Sequence, residues 1–516
     1  ETKYISIPRI QVDGPVEQSF AQGRLWFIDR LYPESTWYLV PLAARLRGPL
    51  HLDALNVALL ALEERHEPLR TTFMHRDGTD LQVIHEFVPT QARVIPIPGG
   101  SWETLTQVLH QEHTTPFKLE TEPGWRTAIF RLSEEDHVLS IVMHHIISDG
   151  WSLDILQREL SKFYSAAVQG QDPLSQVHPL PIQYRDFAVW QKQTEQTIEH
   201  QRQLEYWKQQ LDGNQPAEFF NDKDRPAVLS GVADVHEVAI EGALYRSLEQ
   251  FCKKTQATPF AVLLAAFRAT HYRLTGAEDA TIGTPVANRN RQELENIIGF
   301  FVNLQCIRVT VQDESFEVLV QRVLSTTAEA SAHQDVPFER IVAELRPGVR
   351  DLSRNPLVQS VFAVHSQQNI GKLGLAGLDT ESVGETRTSR FDLEFHFFQQ
   401  EGHMHGYVMF SNELFDASSI HCMISVFFEI LERGLADPTV SITTMPLTRG
   451  LAALADMGLT QVARTDYPRD SSVPALFRQQ AAISANTVAV KDASSQLTYA
   501  ELDSQSDRLA DWLARR

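Results

Sequence analysis

Cysteine is scarce: Cys252, Cys306 and Cys422 are the only three in 516 residues, with no CxxC or CxxH spacing among them. That excludes a disulfide framework and a cysteine-based zinc site, and it fits a reducing, cytoplasmic setting. Long apolar runs are also missing, since no stretch approaches the ~20 residues that a membrane span needs. Positive charge is in deficit: 46 Lys and Arg against 66 Asp and Glu leave a formal net charge of -20. Such a surface repels polyanions and argues against nucleic acid as a partner. His396, His403 and His405 stand close in sequence, but around Phe397 and Phe398 they read as a strand and its turn rather than as ligands, and no metal is expected. The opening residues ETKYI lack both an initiator Met and the apolar core of a signal peptide, so the chain reads as a piece of a longer one.

What is present is an ordinary globular composition, 43% hydrophobic and 22% charged, with a mixed α/β pattern. Helical spacing of apolar residues marks 16–31, 52–62, 316–332 and 419–431. Apolar runs of strand length mark 138–143, 280–286 and 302–309, and 69–73 reads as a strand after the helix stop at Pro68. Residues 441–470 mix Pro, Thr, Gly and Arg and read as a linker. Beyond it, 488–491 and 496–499 suggest a hairpin, and Thr498 with Glu501 has the form of a capping box.

The sharpest chemical signal is HHIISDG at 144–150, placed between the 138–143 run and a helix-spaced segment carrying Leu153, Leu156, Leu160 and Phe163. A bland reading has the two histidines satisfying buried backbone groups while Asp149 and Gly150 only open the next helix. The spacing favours more. Neighbours on an extended strand point to opposite faces, so one histidine turns inward while the other faces a cleft. Asp149 at the helix head can fix the loop through an arginine, and Gly150 admits close backbone approach.

With these residues in view, the chain resembles the condensation-domain family of nonribosomal peptide synthetases, particularly the multimodular fungal type. SFAQGRLW at 19–26 is similar to the family's opening element, RHEPLRTTF at 65–73 to its second, and MHHIISDGWS at 143–152 to its catalytic signature. YRDFAVW at 184–190, IGFFVNLQCIR at 298–308, HQDVPFE at 333–339 and RDLSRNPL at 350–357 continue the order. The resemblance implies an α/β fold of two chloramphenicol-acetyltransferase-like lobes, a V-shaped pseudo-dimer with a central tunnel. The lobes are expected at 1–180 and 181–440, followed by the linker and then, at 471–516, the truncated start of an adenylation domain, because LTYAEL at 497–502 is similar to that domain's first motif.

The implied activity is amide formation between a donor acyl thioester and the amine of an acceptor aminoacyl thioester. Both ride on phosphopantetheine arms of an upstream donor and a downstream acceptor carrier domain, and no cofactor is bound directly. His145 is expected to face the tunnel and take the amine proton or position the amine, with His144 structural. Asp149 is expected to pair with Arg289, and Gly150 to allow backbone access. Asn303 and Arg65 are expected as scaffold, and Trp151 and Ser148 as tunnel neighbours. An epimerase of the same fold and a silent carrier-docking module are the alternatives. The acyl groups, their chirality, and amide against ester product stay open.

Overall fold

In the computed structural model the described residues are 6–11, 14–195, 197–345, 353–365, 373–383, 388–448, 471–492 and 495–516. Residues 350–352 of the RDLSRNPL element, and 449–470 of the expected linker, lie outside them. Contacts divide the chain into two units, Glu1–Ala453 and Leu454–Arg516.

The first unit is built on two mixed sheets. One has five strands in the order Asp379–Ser382, Leu39–Arg47, Asp136–His144, Trp125–Ser133 and Arg93–Pro96. Its central strand, Asp136–His144, is antiparallel to both neighbours, with Met143 opposite Val40 and Trp125. Burial on both faces explains its nearly unbroken apolar run. Val138 packs in one cluster with Leu105 and Leu109 of the Trp102–Thr114 helix, while Leu139, Ile141 and Met143 join a larger core with the Leu52–Arg65 and Gly150–Val168 helices. The lone polar residue of the run, Ser140, is satisfied by His113 Nε2 at 3.1 Å.

The other sheet has six strands in the order Asn303–Thr310, Asp279–Val286, Ser360–His365, Leu393–Gln400, His403–Ser411 and Ala233–Ile240. Its core collects the Pro259–Thr275, Phe316–Ala332 and Ala417–Ala436 helices, with Phe267, Phe362, Phe395 and Phe427 at the centre. His396 and His405 lie on adjacent strands of the 393–411 hairpin. There His396 bonds His365 and Glu394, each at 3.0 Å. Two segments tie the sheets together: Asp379–Ser382, which follows residues of the second sheet in sequence, completes the first, and Ile298 enters the first core.

Three local expectations change. Residues 67–70 form a 3₁₀ turn and the strand is Thr71–Arg76, because Pro68 supplies no N–H to a ladder and its fixed φ suits the first residues of a helical turn. The first helix starts at Phe20, not 16: Ser19 Oγ accepts from Gln22 N at 3.1 Å and Gln22 Oε1 from Ser19 N at 3.0 Å. Residues 441–448 pack on the first unit rather than acting as linker. Ile442 and Met445 are buried, and Arg273 donates to both of their carbonyls.

The second unit contains the Val473–Ile483 helix, a hairpin of Val488–Lys491 with Gln496–Thr498, and the Tyr499–Ala514 helix. Thr498 caps that helix and pairs reciprocally with Glu501, which turns Tyr499 from strand end to helix start. Among the described residues, no helix is long and apolar enough to cross a membrane.

Candidate active site

The 144–150 segment leaves the central strand of the first sheet, makes one 3₁₀ turn at His145–Ile147, and enters the Gly150–Val168 helix. His144 keeps the strand register, its N–H bound to Gly124 O at 2.7 Å, and its side chain is buried. Ile146 N donates to His144 Nδ1 at 3.0 Å, so that nitrogen carries the lone pair and Nε2 the proton. Burial, reinforced by the Arg390 cation, takes the His144 pKa down to about 3.

His145 is held the opposite way. Its Nδ1 lies 3.0 Å from Ser148 O, and a carbonyl only accepts, so Nδ1 is protonated and the Nε2 lone pair is left outward. The ring is half-buried, edge-on to Phe300 at 5.7 Å. Burial and then the Arg390 charge hold its pKa well below the ordinary imidazole value, against the opposing bond from Ser148 O. The imidazole is therefore neutral at physiological pH.

Asp149 caps the helix and is saturated. Its Oδ1 accepts from Ser152 N at 2.8 Å and lies 2.7 Å from Ser152 Oγ, and its Oδ2 accepts from Phe301 N at 3.0 Å. Arg289 Nη2 reaches Oδ1 at 3.1 Å, while Arg289 Nη1 donates to Leu294 O and Ile297 O, each at 2.6 Å. Burial lowers the Arg289 pKa and the Asp149 charge opposes that. This pair joins the loop to residues 289–301, whose Gly299 N donates to Ser152 Oγ at 3.0 Å. Tyr184 adds a clamp: its hydroxyl donates to Phe300 O at 2.7 Å and meets Ser19 Oγ at 2.9 Å.

Gly150 is exposed, and a Cβ built on it meets no atom within 4 Å, so the folded chain itself does not require a glycine there. Ser148 is fully buried, its Oγ donating to His144 O at 3.2 Å. Trp151 is anchored by Nε1 to Glu295 O at 2.9 Å. Asn303 is spent on the chain: it donates to Gln334 O and Val336 O and accepts from Leu304 N and Phe338 N. Arg65 is not brought to the loop. It grips Glu159 at 3.1 Å, roughly three turns down the helix from Asp149.

Sequence reasoning missed Ser152, Tyr184 and Arg390. Ser152 and Tyr184 sat inside segments already singled out, at 143–152 and 184–190, and a helix-cap pattern would have drawn attention to Ser152. Arg390, in SRFDLEF, carries no local signal.

The sequence profile described as the condensation domain matches residues 12–451. The chain belongs to the condensation-domain family. Over 514 residues this condensation domain and its C-terminal extension are 57% identical to PF 1022-synthetase of Rosellinia sp., covering 99% of this chain and 16% of that protein. Cyclosporin synthetase of Tolypocladium inflatum is 57% identical over 98% of this chain and 3% of its own length. The bassianolide nonribosomal cyclodepsipeptide synthetase of Beauveria bassiana is 54% identical over 99% and 16%. The chain thus spans less than a fifth of the length of these relatives. Among solved structures, the X-domain from teicoplanin biosynthesis superposes with a TM-score of 0.79 at 27% identity, over 86% of this chain and 100% of its own. A four-domain nonribosomal peptide synthetase bound to AMP and glycine shares the fold, with a TM-score of 0.74 at 23% identity over 98% of this chain and 39% of its own.

Proposed function

We propose that this domain forms an amide between a donor acyl thioester and the amine of an acceptor aminoacyl thioester, each carried on the phosphopantetheine arm of a carrier domain. The observation that carries the reading is the state of His145, a neutral imidazole with Nδ1–H committed to Ser148 O and Nε2 left to accept. An α-amino group titrates near ~8 and a thiol near ~8.5, so neither nucleophile nor leaving group needs strong activation. Orientation of two tethered groups supplies much of the rate. His145 Nε2 accepts the N–H of the attacking amine, and its low basicity makes it a positioner first and a proton acceptor only as the adduct becomes a strong acid. His144 supports the turn. Asp149 and Arg289 lock the loop to residues 289–301, and the open space over Gly150 leaves room for a substrate backbone. Trp151 borders that space and Ser148 holds the turn beneath it through His144 O, while Asn303 and Arg65 brace elements behind it.

In this reading the lobes of residues 1–180 and 181–440 frame a passage for the two arms. Residues 471–516, with LTYAEL at 497–502, begin an adenylation domain in a cytoplasmic synthetase. Ester formation is a second reading, favoured by the similarity to the bassianolide cyclodepsipeptide synthetase. The test loads a donor carrier with an acyl group and an acceptor carrier with either an amino acid or the matching hydroxy acid. Intact mass of the acceptor carrier then follows product. Amide from the amino acid alone is expected. Product from the hydroxy acid alone assigns ester formation, and inversion of a single tethered residue without transfer assigns an epimerase.

A further inference from the structure

Residues 389–392 are gripped from every side. Ser389 N donates to Gly231 O at 3.0 Å, Asp392 N to Gln359 O at 3.0 Å, Asn355 Nδ2 to Arg390 O, and Arg225 forms a bidentate pair with the Asp392 carboxylate. The backbone of Arg390 is thereby fixed, and its side chain crosses from the second sheet to the histidine loop. Its guanidinium carbon lies 4.8 Å over the ring of Tyr38, whose carbonyl accepts the His145 N–H at 2.8 Å. The cation is near enough to act electrostatically on both His144 and His145.

No described acceptor takes a hydrogen bond from this guanidinium. The neighbouring Glu394 carboxylate is already engaged by Ser389 Oγ at 2.7 Å and His396 Nε2 at 3.0 Å. Other arginines around the site are spent: Arg289 on Asp149 and two carbonyls, Arg24 on Glu339 at 3.4 Å. The Arg390 donors are thus committed to no described protein group and are open to a ligand that enters beside Tyr38. His145 Nε2 can only accept, so it serves the amine and offers nothing to the carbonyl oxygen on which negative charge develops.

We propose that Arg390 is a catalytic residue whose N–H groups bind the thioester carbonyl oxygen and stabilise the oxyanion formed when the acceptor amine adds. The inference rests on the amide-forming reading above. The amine nitrogen bonds to the carbonyl carbon, the C=O π pair moves to the oxygen under the guanidinium, and the adduct's N–H proton is held at His145 Nε2. Collapse restores the C=O bond, breaks C–S, and the proton leaves with the thiolate as thiol. The same cation, by disfavouring imidazolium, keeps the acceptor lone pair on His145 available.

The test is single-turnover product formation with loaded donor and acceptor carriers, for wild type, Arg390→Ala and Arg390→Lys, each first shown to keep the wild-type thermal transition. Removing a donor of this kind lowers the rate by about 100-fold or more. Added methylguanidinium should restore Arg390→Ala by about tenfold, and Arg390→Lys should fall between the two. A rate for Arg390→Ala within about threefold of wild type overturns the assignment and leaves the oxyanion to a backbone amide such as that of Gly150. A loss that neither lysine nor methylguanidinium mends overturns it too, marking the side chain as structural. If wild type forms no amide, the reading itself fails and the inference with it; if wild type is productive and Arg390→Ala equally so, only the inference fails.

Discussion

Two identical side chains at 144 and 145 hold opposite tautomers because each meets a different backbone group: an amide N–H donates to one, a carbonyl accepts from the other. That single difference separates a buried support from a lone pair turned outward. Asp149 works at the same scale by absorption, taking up the Ser152 and Phe301 amides and the Arg289 cation. Asp149→Ala leaves that guanidinium buried and uncompensated, and the expected loss is about 3–5 kcal/mol in urea unfolding. Replacing Arg289 by Met as well should recover part of it. A double variant as unstable as the sum of the singles would show that the pair is not coupled.

Elements meet at the loop through close approach. A Cβ on Gly299 would lie 2.0 Å from Tyr184 Cδ2, and Tyr184 is itself pinned by Ser19 and Phe300. Gly299→Ala is therefore expected to lower stability by about 1–3 kcal/mol or more in the same assay, and an unchanged midpoint would contradict this packing. The elements that sequence reading found were those with a strong period or a buried run: 138–143, 280–286, 316–332 and the 144–150 turn. It set the start of the 69–73 strand two residues early, where a proline-led 3₁₀ turn takes in Leu69 and Arg70, and it mistook 441–448, where Ile442 and Met445 bury themselves in Thr- and Pro-rich surroundings. The order of strands in the six-stranded sheet was not legible at all, because pairing between 233–240 and 403–411 depends on contacts far apart in the chain. Arg390 was hidden for the same reason: nothing near 390 says that it reaches a loop near 145.

For the whole molecule, buried neutral histidines make stability depend on pH. The pKa of His144 is held at about 3 and that of His271 at about 4, both chiefly by burial, against 6.5 in the unfolded chain. The unfolded state therefore binds more protons below pH 6.5. The stabilisation is present above that value and is lost as pH falls toward 4, at up to about 1.4 kcal/mol per histidine per pH unit. Thermal scans from pH 7.5 to 4.5 should show a falling midpoint, and a flat profile would contradict neutral burial. The central claim, that His145 presents its lone pair to an attacking amine, is tested most directly by single-turnover product formation between loaded carriers. Wild type is compared with a folded His145→Ala variant, with product followed by intact mass. A productive wild type with a variant slower by about 10²–10⁴-fold, at unchanged carrier binding, is the predicted result. Equal product from both would contradict it and reduce His145 to a support like its neighbour. No product from any loaded pair, with carriers still bound, would make the domain a docking module.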